Sequence, residues 1–166
     1  METSRAPEDR RKVWDMIKHI RVAMFVSSDE DGGMHARPMA AVQHEGFDGD
    51  LWFFTNLDSP KIDEIEGNPK VLLAYSEPQD GDYVAVTGSA AVVRDRQKID
   101  ELWTEALRVW FPKGANDPAI ALIKVSVDGA EYWDAATSRM ILAFESAKAL
   151  LTGKRADLGE NKRVGF

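Results

Sequence analysis

The chain has 166 residues, 44% of them hydrophobic, and a formal net charge of −7. That length suits one domain with a real core, and the absence of cysteine excludes disulfides, thiolate metal ligands and cysteine nucleophiles. The acidic balance argues against broad binding to nucleic acid or anionic membranes, so any anionic ligand must be met locally.

The first ten residues, Met1-Glu-Thr-Ser-Arg-Ala-Pro-Glu-Asp-Arg10, lack the apolar core of a secretory signal, and no later run approaches a membrane span. This predicts a cytoplasmic protein. Val13, Met16, Ile17 and Ile20 recur at helical spacing, predicting an amphipathic helix over 7–20 with Pro7 in its first turn. Val22 to Ser27 reads as a strand. Asp29-Glu-Asp-Gly-Gly33 turns it into a second strand from Met34 to His44, which Pro38 interrupts as at an edge or bulge. After a Gly-rich turn, Leu51 to Thr55 is the next strand. Ser59-Pro60 then reads as an N-cap followed by proline at the first helical position, for a short helix ending near Gly67.

Lys70 to Ser76 and Tyr83 to Val93 are two more strands around the turn at 77–82, and Gly88 marks a bend. The pattern switches to helix from Asp95 to Trp110, with Ile99, Leu102, Trp103, Ala106, Leu107 and Trp110 on one stripe. Leu122 to Val127 and Glu131 to Asp134 read as strands joined by an Asp128-Gly129 hairpin turn. Ser138 could cap a last helix through Leu151, stopped by Gly153. Residues 1–153 thus form one domain, and 154–166 a polar tail. Six or more mostly antiparallel strands with helices at the ends make an α+β protein built on a small barrel.

The region from Met34 to Lys61 carries the chemistry. In an extended strand Arg37, Met39 and Ala41 share one face, while Pro38 lies on the other. An arginine among small and apolar residues either snorkels to solvent or meets a buried anion. Ser59 and Lys61 stand at a helix start, where free N–H groups favour anions; either alone is better explained as an ordinary cap or a solvated lysine, and it is the conjunction with Arg37 that points to an anion site. Thr55 closes the preceding strand, and Phe53 and Phe54 could receive a flat ring. Tyr83 and Trp133 are secondary candidates for stacking, whereas Trp14, Trp103 and Trp110 read as core or subunit contacts. His19, His35 and His44 lack metal-ligand spacing, and no G-x-S-x-G, Walker A or G-x-G-x-x-G pattern is present. The combination points to a phosphorylated aromatic cofactor that supplies any chemistry itself.

With Ala36-Arg-Pro-Met39, Trp52-Phe-Phe-Thr-Asn56, Ser59-Pro-Lys61, Asn68-Pro-Lys-Val-Leu-Leu-Ala-Tyr75, Tyr83-Val-Ala-Val-Thr-Gly88 and Tyr132-Trp-Asp134 in place, the chain resembles the FMN-binding split-barrel superfamily. That superfamily includes the pyridoxamine 5′-phosphate oxidases, and the resemblance, over roughly residues 10–153, is strongest to its bacterial general-stress-protein branch. It implies a six-stranded antiparallel Greek-key split barrel that dimerises with FMN at the subunit interface. Arg37, Ser59 and Lys61 would contact the FMN phosphate with Thr55 at its edge. The backbone around Pro38, Met39 and Ala41 would line the isoalloxazine, with Phe53 and Phe54 alongside, and Tyr83 and Trp133 would come from the partner subunit.

Two departures matter. The oxidases close with a C-terminal tryptophan and an Arg-Leu-x-Pro-like segment, whereas this chain ends Asp157-Leu-Gly-Glu-Asn-Lys-Arg-Val-Gly-Phe166. Pro60 also stands where they carry a second cation. The resemblance therefore implies a flavin reductase, redox partner or FMN carrier of the stress-associated branch and not a true pyridoxamine phosphate oxidase. A catalytically idle module for haem or a protein partner, and a deazaflavin-dependent reductase, are the alternatives on the same barrel.

Overall fold

The structure is a computed structural model and describes residues 3–43, 46–134 and 160–166. In chain order the elements are β1 (Thr3–Ser4), α1 (Pro7–Ile20), β2 (Val22–Ser28), β3 (Met34–Ala40), β4 (Asp50–Asn56), α2 (Pro60–Gly67), β5 (Lys70–Glu77) and β6 (Asp82–Val93). They continue with α3 (Arg96–Leu102), a 3-10 helix (Glu105–Val109), β7 (Ile120–Asp134) and β8 (Glu160–Gly165). The predicted last helix, from Ser138 through Leu151 to Gly153, lies outside the described residues.

The sheet runs β1-β8-β7-β6-β5-β2-β3, and β4 joins it by pairing with β7. All ladders are antiparallel except the two-residue β1–β8 pair. The far edges meet just past the end of β3, where the Val42 N–H donates to the Trp52 carbonyl at 2.9 Å. The Gln43 side chain reinforces the seam, donating to the Asp50 carbonyl at 2.6 Å and accepting from the Trp52 N–H at 3.0 Å. Strands β2, β3, β4, β7, β6 and β5 therefore form the six-membered ring expected from the sequence, an α+β split barrel.

Alternation fills the ring's interior. Ala23 and Phe25 on β2, Leu51 and Phe53 on β4, Leu73 and Tyr75 on β5, and Val84 and Val86 on β6 are buried. Helix α1 plugs one end with Val13, Met16 and Ile17, the stripe its periodicity announced. A second cluster outside the ring gathers Phe54, Ile99, Leu102, Phe111, Ile120 and Leu122.

Three expectations need correction. The single helix over 95–110 is broken: Asp95 caps α3 by accepting from the Gln97 and Lys98 N–H groups at 2.9 and 3.3 Å, but α3 ends at Leu102. Trp103 leaves with extended ψ of 137°, which sets its ring against Phe54 and Phe111 at centroid distances of 5.8 and 6.5 Å, and a 3-10 turn follows. Aromatic packing on β4 outweighs helical propensity there.

The Asp128-Gly129 hairpin is also absent, because β7 runs through without reversing. Gly129 does not take the positive φ that a type I′ turn needs. Instead the β6–β7 register slips at Thr87/Gly88, with Thr87 opposite Gly129 and Gly88 opposite Val127, so Asp128 is the extra residue of a bulge. A Cβ on Gly88 would lie 2.5 Å from the Ser126 carbonyl oxygen, which accounts for the glycine. The predicted strand from Met34 to His44 ends earlier, at Ala40.

The tail, for which the sequence offered no conformation, contributes β8. Its residues 160–165 pair with β7, and Phe166 packs edge-on to Phe47, which stacks on Trp14. Lys162 reaches the buried Asp9 carboxylate of α1 at 2.9 Å. Hydrogen bonds from Ser4 and Lys162 hold that carboxyl below its ordinary pKa, against the opposing effect of burial.

Candidate cofactor site

Between the free edge of β3, the end of β4, the start of α2 and the segment after the 3-10 helix lies a cleft of about 470 Å³. Arg37, Pro38 and Met39 line it from β3, Phe54 and Thr55 from β4, and Lys61 from α2. Leu107, Trp110 and Phe111 close the far side. Two loosely coupled reading frames, a strand alternation and a helix start, thus converge on one cavity.

Polar groups collect at one end. Lys61 Nζ donates to Thr55 Oγ1 at 3.1 Å and to Ser59 Oγ at 2.7 Å. Ser59 consequently does not cap α2 with its side chain, which departs from the capping role expected of it. Burial, with the nearby positive Arg37, lowers the Lys61 pKa below an ordinary lysine's, while Glu64 and Asp58 pull the other way. Arg37 pairs across β2 with Phe25 and faces inward, its side chain 23% exposed. Of the two readings of this arginine, the structure selects the buried anion, and that anion is the Glu64 carboxylate on α2, accepting from Arg37 Nη2 at 2.8 Å. Arg37 Nη1 also donates to Ser27 Oγ, whose hydroxyl donates to the same Glu64 oxygen.

Other expected residues are placed differently. Phe53 is fully buried in the ring, edge-on to Phe25, and lines no part of the cleft. Ala41 packs against the barrel core and faces a neighbouring cavity of about 330 Å³. Tyr83 and Trp133 are cross-strand neighbours at the far end of β6 and β7, exposed and away from this chain's cleft.

Sequence reasoning missed Glu64 and Ser27. Each sits in an ordinary amphipathic pattern, beside buried Ile65 on α2 and next to inward-facing Phe25 on β2. Trp110, read as a core or subunit contact, is 75% exposed at the rim of the cleft, which excludes a core position within the protomer and leaves it open to a second subunit. No group of three or more metal-ligating side chains occurs among the described residues, and no described helix is long and apolar enough to cross a membrane.

The family model described as pyridoxamine 5′-phosphate oxidase like matches residues 8–157. The chain belongs to the pyridoxamine 5′-phosphate oxidase-like family. Within it, the chain superposes on a protein from Jannaschia sp. CCS1 assigned as general stress protein 26, with a TM-score of 0.73 and 25% identity, over 97% of this chain and 100% of the other. It likewise matches the general stress FMN/FAD binding protein of Xanthomonas citri at TM-score 0.66 and 33% identity, covering 78% and 90%. The curated protein bli-3 of Neurospora crassa is 25% identical over 149 residues, 85% of this chain and 71% of bli-3. Family membership agrees with the six-membered ring and with the general-stress resemblance drawn from the motifs.

Proposed function

We propose that this member of the pyridoxamine 5′-phosphate oxidase-like family binds FMN in the β3–β4–α2 cleft and acts as a flavin-dependent oxidoreductase or FMN carrier. The observation that carries the reading is the pairing of Arg37 and Lys61 at one end of an otherwise apolar cleft. A phosphate monoester would satisfy Lys61 and the N–H groups that Arg37 does not spend on Glu64 and Ser27, and a flat ring would satisfy the Pro38, Met39, Phe54 and Trp110 walls. The cleft's volume lies within the range usual for small-molecule sites. Lys61 and Arg37 would hold the phosphate, with the Thr55 and Ser59 hydroxyls orienting the lysine. Flavin supplies the redox chemistry when bound; the chain supplies anchoring and a wall that excludes water from one face.

Homodimerisation is part of the proposal. The outer face of β2, β5 and β6 presents Val22 and Met24 half-exposed, with Leu72, Ala74 and Ala85 in register beside them. The exposed Tyr83–Trp133 pair stands on that same face. An apolar sheet face of this kind is ordinarily covered, and a second copy would bring aromatic residues to the rim of the cleft.

Titration with FMN, FAD and riboflavin, followed by flavin fluorescence, tests the reading. FMN should bind, and riboflavin, which lacks the phosphate, should bind at least tenfold more weakly. Equal affinity for FMN and riboflavin would remove the phosphate site, and failure to bind any flavin would remove the cofactor. Light scattering at micromolar protein should report a dimer.

A further inference from the structure

The two cations of the cleft are held in different ways. Lys61 leans on two neutral hydroxyls, but Arg37 is locked into a closed ring of hydrogen bonds. Its Nη2 donates to Glu64, its Nη1 to Ser27, and Ser27 completes the circuit by donating to Glu64. One guanidinium edge is thereby spent inside the protein. Ser27 is buried, and the Glu64 side chain is only 10% exposed.

An isolated arginine on an edge strand would snorkel toward water, because its flexible stem gives up rotamer freedom when held in one place. The fold opposes this from α2. Ile62 and Ile65 are buried and fix the helix's rotation, so that Lys61 turns to Thr55 on β4 while Glu64, three residues on, turns to Ser27 on β2 and Arg37 on β3. One short helix therefore delivers a cation to the cleft and a counter-charge to the cation opposite it. Burial opposes ionisation of Glu64, yet hydrogen bonds from Ser27 and Arg37 more than offset it and hold the carboxyl below its ordinary pKa.

We propose that Glu64 is a positioning residue of the anion site, acting through Ser27 and Arg37: it orients the Arg37 guanidinium so that its unspent N–H groups meet the phosphate of the bound flavin. This rests on the FMN reading. Glu64 itself is no phosphate contact in this proposal, since it does not line the cleft and a carboxylate repels a second anion.

The test compares FMN with riboflavin in three folded variants and the wild type. Glu64→Ala should weaken FMN about tenfold, the scale of one charge-assisted hydrogen bond lost, while leaving riboflavin within about twofold. Glu64→Gln keeps an amide oxygen for the Arg37 N–H groups and should rescue FMN to within about threefold of wild type. Ser27→Ala removes the middle of the ring and should show the same FMN-only loss at smaller amplitude, which keeps the proposal testable if Glu64→Ala does not fold. Equal weakening of FMN and riboflavin would make Glu64 a structural residue only and overturn the proposal. Unchanged or tighter FMN binding in Glu64→Ala would overturn it too, by making Glu64 a bystander or a competitor for Arg37. A wild type that binds no flavin is seen before any variant is made and overturns the cofactor reading itself.

Discussion

The two ends of the cleft are built from different materials. The polar end rests on strand, strand and helix: Arg37 on β3, Thr55 on β4 and Lys61 on α2, each tied to a neighbour by side-chain hydrogen bonds. The apolar end rests on the irregular stretch after α3, where Leu107, Trp110 and Phe111 line the wall and Trp110 is largely bare. A site on regular elements is positioned before its ligand arrives, whereas a loop wall is adjusted afterwards. On the flavin reading, anchoring of the phosphate and choice of ring would therefore be separable properties.

The comparison breaks if the polar end does not discriminate. Lys61→Ala and Arg37→Ala should each weaken FMN by about 10- to 150-fold, since a hydrogen bond to a charged group is worth roughly 1.5–3 kcal/mol. Riboflavin should be nearly indifferent to both. Titrations in which folded variants match wild type would return both residues to a purely structural role.

The apolar end should answer in the opposite way. Trp110→Ala removes ring contact without touching the phosphate, so FMN and riboflavin should weaken together, by about three- to tenfold on the scale of one aromatic contact. A loss confined to FMN would show that the two ends are not separable.

pH sharpens the same contrast. Lys61 titrates below an ordinary lysine, so its charge, and the FMN affinity it would support, is present below that lowered pKa and is lost as pH rises through it, earlier than for an ordinary lysine. Lys61→Arg, which does not titrate there, should abolish the alkaline fall, and riboflavin should show none in the wild type. On the acid side, protonation of the phosphate near its second pKa of about 6 should weaken FMN alone.

The smallest effect concerns the core beneath the site. Tyr75 is buried on β5 with its hydroxyl unpartnered among the described residues, and burial pushes its phenol far above the ordinary pKa. Tyr75→Phe removes an unsatisfied polar group at constant shape. It should leave thermal stability unchanged or raise it by up to about 1 kcal/mol. A marked loss would reveal a partner for the hydroxyl.

Local signals located most of the barrel. Strand alternation, the Asp29–Gly33 turn, the Ser59-Pro60 helix start and the α1 stripe depend on residues within a few positions of one another, and each appears where expected. The failures share one cause. Asp128-Gly129 carries the residue types of a hairpin, yet β6 on one side of β7 and β8 on the other keep the chain extended there, and the pair forms a bulge. The stripe over 95–110 is helical in period, yet Trp103 is drawn out to Phe54 and Phe111, the former more than forty positions earlier in the chain.

The split-barrel ring was legible only through the resemblance that the motifs carry; by itself, the sequence determined most element types, a small antiparallel barrel and the short segment, Met34 to Lys61, that carries the cations. Those follow from periodicity and turn chemistry, which act locally. Only the tertiary structure decided that Arg37 finds its counter-charge in Glu64, that Phe54 faces the cleft while Phe53 fills the barrel, and that Trp110 stands at the rim. Residues 27 positions apart become partners because barrel closure and the docking of α2 place them together, and no local pattern encodes that distance.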